Sequence, residues 1–116
     1  MKNNVLALCL LAALVMGLSI ARPEAAPPQQ RSVITSPQDR DVVRGVLVIK
    51  GTATHLNFWK YEIYYAPEPN PNDQWQLLGL HEEQVADGRL ETWDTTLVPD
   101  GTYSLRLRVV RVDGNY

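Results

Sequence analysis

The chain is 116 residues long, room for one small domain. Eleven Lys and Arg against thirteen Asp and Glu leave a formal net charge of -2, which excludes a strongly basic nucleic-acid binder and a cationic lipid-binding surface. A single Cys excludes an intrachain disulfide, and the two His, standing far apart, exclude a His-rich metal site.

Met1-Lys2-Asn3-Asn4 carries one basic side chain. Val5 to Met16 is an unbroken apolar run that continues through Ala21 and ends at Arg22-Pro23. A basic start, an apolar middle and small residues at Ser19 and Ala21 have the shape of an export signal over 1–21. Val5–Ala21 also just reaches the length of a membrane-crossing helix, so an uncleaved anchor is the competing reading. Cys9 lies inside the apolar run rather than at its end, which argues against lipoprotein processing. Residues 22–31, with Pro27-Pro28-Gln29-Gln30, read as a Pro/Gln linker, and 32–116 as the folded module. The expected location is outside the cytoplasm, with membrane contact only through the N-terminal segment.

The remainder reads as strands. The run Ser32-Val33-Ile34-Thr35-Ser36-Pro37 is a short strand stopped by its proline. Val42–Thr54 is a second, with Leu47, Ile49, Gly51 and Ala53 on the face favoured as inward. Phe58–Ala66 is a third, whose period of two assigns Trp59, Tyr61, Ile63 and Tyr65 to the core and Phe58, Lys60, Glu62 and Tyr64 to the other face. The proline-containing 67–73 is a loop, Trp75–Leu80 a fourth strand, Asp87-Gly88 a turn, and Arg89–Thr95 a fifth strand holding Leu90 and Trp93. Pro99-Asp100-Gly101 turns the chain into the sixth strand, Thr102–Val112. There Tyr103, Leu105, Leu107 and Val109 alternate with Ser104, Arg106, Arg108 and Val110. Asp113-Gly114-Asn115 is a further hairpin signal. The class is therefore all-β: an antiparallel sandwich of about six strands behind an N-terminal hydrophobic helix.

The run Val33-Ile34-Thr35-Ser36-Pro37 with Val42–Ala53, the segment Phe58–Pro67, and Trp93–Val109 with its Pro-Asp-Gly turn together resemble bacterial immunoglobulin-like or fibronectin type III-like modules. The resemblance implies an immunoglobulin-like sandwich that lacks the last strand. It implies either a truncated module, a true edge at the sixth strand, or a strand supplied by a partner. It also implies a non-catalytic role as spacer or as a protein- or cell-wall-binding domain. The alternative is a detached accessory domain of a cell-wall or cell-surface enzyme. In such a sandwich Tyr103 would pack in the core with its hydroxyl on loop backbone, as in a tyrosine corner. Trp93 would plug the space between sheets, and Asp94 would accept backbone N–H groups at the turn.

The candidate binding patch is aromatic: Phe58, Tyr64 and Trp75 beside the proline loop, suited to another protein or a wall polymer. Arg106, Arg108 and Arg111 make a cationic feature on the sixth strand, with Glu62 as a cross-sheet partner. It is too small for a nucleic-acid stripe. No catalytic constellation is legible: Glu82 and Glu83 are adjacent and face opposite sides, His55 and His81 each stand alone, and the turn aspartates follow no calcium-loop spacing. No cofactor or metal is expected.

Overall fold

A computed structural model describes residues 30–116. The expected signal or anchor over 1–21, its hydrophobic helix, and the linker up to residue 29 lie outside the described residues. Among the described residues six strands form two three-stranded antiparallel sheets. The strands are β1 (Arg31–Ser36), β2 (Val46–Thr54), β3 (Phe58–Pro67), β4 (Gln76–His81), β5 (Val85–Asp94) and β6 (Tyr103–Arg111). One sheet has the order β1-β2-β5, the other β4-β3-β6. Among the described residues a short 3-10 turn, Thr95–Leu97, interrupts the pattern. No helix among the described residues is long and apolar enough to cross a membrane.

The core lies between the sheets. Ile49, Ile63 and Leu90 are fully enclosed, joined by Ala53, Tyr61 and Trp93. Tyr103, Leu105, Leu107 and Val109 pack against this cluster from β6, as their alternation predicts. Trp93 on β5 stacks on Tyr65 of β3 with ring centroids 4.8 Å apart, and Tyr103 meets Trp93 edge-on at 5.7 Å. Three rings from three strands thus span the gap between sheets, an arrangement that adds to simple area burial. The Tyr103 hydroxyl donates to the Pro99 carbonyl at 2.5 Å, closing the turn into β6. Asp94 accepts from the Thr96 N–H at 3.0 Å and from its hydroxyl, capping the 3-10 turn.

Two expectations fail at bulges. Phe58 pairs with Arg111 and Lys60 with Val110, so Trp59 is an extra residue on β3. The insertion reverses the faces before it. Phe58 turns in against the core, 6.5 Å from the Tyr61 ring, whereas Trp59 is 43% exposed with Lys60 Nζ 4.3 Å from its ring centroid. Trp59 is therefore not a core residue. Asp87-Gly88 likewise lies inside β5 rather than between strands. Gly51 pairs with Gly88 and Ala53 with Val85, which leaves one residue over on β5. Asp87 takes φ of +49 there, and its N–H donates to Thr52 Oγ1 at 2.9 Å.

Candidate functional site

The outer face of the β4-β3-β6 sheet carries an organised, half-buried cluster. Tyr64 lies opposite Arg106 in the β3–β6 register, and Glu62 lies opposite Arg108. All four belong to the side-chain set that points away from the core. The Arg106 guanidinium stands 4.8 Å from the Tyr64 ring centroid and 4.4 Å from that of Trp75. Arg108 stands 5.4 Å from Tyr64 and 4.0 Å from Tyr116. The order across the face is Trp75, Arg106, Tyr64, Arg108, Tyr116: aromatic rings alternating with guanidinium planes. Each contact is worth roughly 0.5–1 kcal/mol at an exposed site, and each immobilises its neighbours.

Local structure places both ends of the ladder. Trp75 sits just before β4, and its Nε1 donates to Asp73 Oδ1 at 2.6 Å. Asp73 has φ of +49 and donates its N–H to the Asn70 carbonyl, while the Gln74 N–H donates to Asn70 Oδ1. The proline loop is thereby a bracket that aims the indole at Arg106. At the other end Gly114, with φ of +86, donates to the Arg111 carbonyl, and the Arg111 N–H donates to the Asn115 carbonyl at 2.8 Å. This hairpin turn brings Tyr116 back onto Arg108.

The electrostatics leave the arginines free for an outside acceptor. The Glu62 carboxylate accepts from the Tyr64 hydroxyl at 2.5 Å, and no ion pair forms between Arg106 or Arg108 and an acid among the described residues. The expected pairing with Glu62 is replaced by this hydrogen bond. Burial pushes the Tyr64 hydroxyl above its ordinary pKa, and the bond to Glu62 pushes it further in the same direction. Arg106 Nε is buried with no hydrogen-bond partner.

The sequence-predicted patch is thus partly assembled. Tyr64 and Trp75 come together through Arg106, whereas Phe58 belongs to the core side. Arg106, Arg108 and Tyr116 are the members that sequence reasoning did not join to the aromatics. The equal parity of Tyr64 with Arg106 and Arg108 on neighbouring strands carries part of that signal, and the Asp113-Gly114 turn carries the rest.

A second cleft, about 610 Å³, lies where β4 runs into β5, with Glu82 and Glu83 on its lining. His81 does not stand alone there: its Nε2 is 2.7 Å from Glu91 Oε2, and its ring is 5.1 Å from that of Tyr61. The lining holds no serine, threonine or cysteine. The His81–Glu91 pair joins a strand of one sheet to a strand of the other, so its physical effect is a cross-tie. Protein-family models, curated proteins and solved structures were each compared with the chain, and none matches it.

Proposed function

We propose that the chain is a non-catalytic immunoglobulin-like module that works outside the cytoplasm and binds another protein or a cell-wall polymer through its β4-β3-β6 face. The observation that carries this reading is the Trp75–Arg106–Tyr64–Arg108–Tyr116 ladder, a half-buried array with two guanidinium groups that lack an acid partner among the described residues. Aromatic rings and arginine are the residue types that dominate binding energy when a partner desolvates them. The sandwich reading is supported by the strand orders β1-β2-β5 and β4-β3-β6. The Tyr103 bond back to Pro99 at the entry to β6 supports it too, since it is the geometry of a tyrosine corner. The export part rests on the apolar run of 1–21 alone.

The test is a titration of isotope-labelled full chain with solubilised wall polymer and, separately, with solubilised envelope proteins, read by amide shifts. Shifts clustered at Tyr64, Trp75, Arg106 and Arg108, and abolished by Arg106→Gln with Arg108→Gln, are the expected result. Shifts confined to the His81–Glu91 cleft would overturn the assignment of the face. No shifts with either class would leave the module a spacer.

A further inference from the structure

We infer that the free edge of β6 is an acceptor for an extended peptide strand of a partner protein, one with small apolar side chains on one face and acidic side chains on the other. The inference deepens the proposed function, on which it rests, by naming the partner's chemistry and the backbone groups that receive it.

The backbone settles which groups are available. Toward β3, the Val112 N–H donates to the Asn57 carbonyl, and the Thr102 carbonyl accepts from Glu68. Away from β3, the Arg111 N–H donates to Asn115, and the Arg111 carbonyl accepts from Gly114. The even-numbered residues of β6 therefore address β3, and the odd-numbered ones address the open side. Period two carries the open set back along the strand through Val109, Leu107 and Leu105. Their side chains pack on the core, but their N–H and C=O groups form a ladder edge that no described residue fills. Asn115 already occupies the first rung, so the edge is geometrically competent to pair.

Among the described residues four strands are sheet edges, and β6 alone carries no bulge of its own. β1 carries its extra residue at Thr35, β5 carries one at Leu90 and one opposite Thr52, and β4 carries one at Leu78. A bulge twists an edge away from further pairing. β6 runs nine residues with no bulge of its own, the irregularity of its ladder lying on β3. Its edge opens onto a groove of about 390 Å³ between β6 and β1, lined on the β6 side by Arg106, Leu107, Arg108 and Val109 and on the other by Arg31 and His55.

Charge selects the occupant. A second copy pairing β6 against β6 would set Arg106 and Arg108 beside their own equivalents, and like charges side by side are destabilising. An incoming strand with acids on the outer face meets two guanidinium groups that have no acid partner among the described residues. Residues on its inner face enter the groove beside Leu107 and Val109, which favours small apolar side chains.

The probe is a synthetic peptide of about six residues, the common strand length, alternating Glu with Val. It is added to the isotope-labelled full chain in a non-ionic detergent. The expected result is slowed hydrogen exchange at the Leu105, Leu107 and Val109 amides. Alternate N-methylation of the peptide backbone abolishes that protection without touching the fold of the protein. Lys in place of Glu weakens binding about tenfold, and Arg106→Glu with Arg108→Glu reverses the preference. Binding that shifts Trp75 and Tyr64 and survives N-methylation would overturn the edge inference while leaving the face reading intact. Protection of the three amides before peptide is added, or a doubling of molar mass, would overturn it in favour of the chain's own N-terminal segment or a second copy. Absence of binding by any of these peptides would overturn it outright.

Discussion

The Tyr61 hydroxyl donates to the Leu90 carbonyl at 2.7 Å, from one sheet to the other. Leu90 is the extra residue where β5 slips against β2, so the ladder itself offers this carbonyl no regular partner. Tyr61→Phe keeps the ring and strands the buried acceptor, and it is expected to cost about 1–3 kcal/mol in urea unfolding. The same environment raises the Tyr61 pKa above its ordinary value of 10.0, through burial first and the Glu91 charge second, with Arg89 opposing. Tyr64 is raised as well, again by burial first. Above about pH 10 the unfolded chain releases these phenolic protons while the folded chain retains them. Stability is then fully present below that pH and falls as pH rises through the shifted values. Urea midpoints recorded across this range should decline in the wild type and decline less in a Tyr61→Phe, Tyr64→Phe double variant. Parallel declines would show that neither hydroxyl is the source.

Element by element, close backbone approach decides which substitutions the sheets accept. A Cβ on Gly51 would overlap the Val33 carbonyl oxygen and crowd Leu90 and Ile34, so β1 could not lie against β2. Gly51→Ala is expected to cost about 3 kcal/mol and to expose the β1 amides to exchange first. A Cβ on Gly79 also finds its place taken, but by the Glu91 carboxylate, which can rotate away at the cost of its contact with His81. Gly79→Ala is expected to cost about 1 kcal/mol, since the obstacle is a movable carboxylate whose His81 partner is 43% exposed. Equal losses in the two variants would contradict this ranking. The strands themselves were legible where apolar and polar residues alternate with contrast, as in Tyr61–Tyr65 and Tyr103–Val109. Phe58-Trp59 was not, because two adjacent aromatics give period two nothing to discriminate, and the bulge arises from pairing with β6. Asp87-Gly88 misled for a related reason: the dipeptide suits positive φ equally in a hairpin turn and in a bulge. Of the candidate site, Tyr64 and Trp75 could be picked from residue type. Their junction through Arg106 required the register of β3 on β6, which no local pattern encodes.

For the molecule as a whole, the sheets are held together without a disulfide, since the chain's single cysteine cannot form one within the chain. The cross-ties are the Tyr65–Trp93–Tyr103 rings, the Tyr61–Leu90 hydrogen bond and the His81–Glu91 pair. Two packed sheets of this size have little margin, and a bulge-free edge invites pairing with their own kind. Arg106 and Arg108 are the physical obstacle to that pairing at β6, held in place by Tyr64, Trp75 and Tyr116. Removing the charges while keeping strand-forming side chains separates repulsion from geometry. Arg106→Thr with Arg108→Thr is expected to turn a monomer into a dimer by sedimentation equilibrium in non-ionic detergent, with the wild-type chain as reference. Threonine suits an edge strand, and losing the four cation–π contacts costs about 2–4 kcal/mol at most, so a melt recorded beside the sedimentation shows whether the variant is folded. A folded variant that stays monomeric would place the barrier to self-association in the shape of the groove. A wild-type chain that dimerises to the same extent would show that the arginines do not guard the edge.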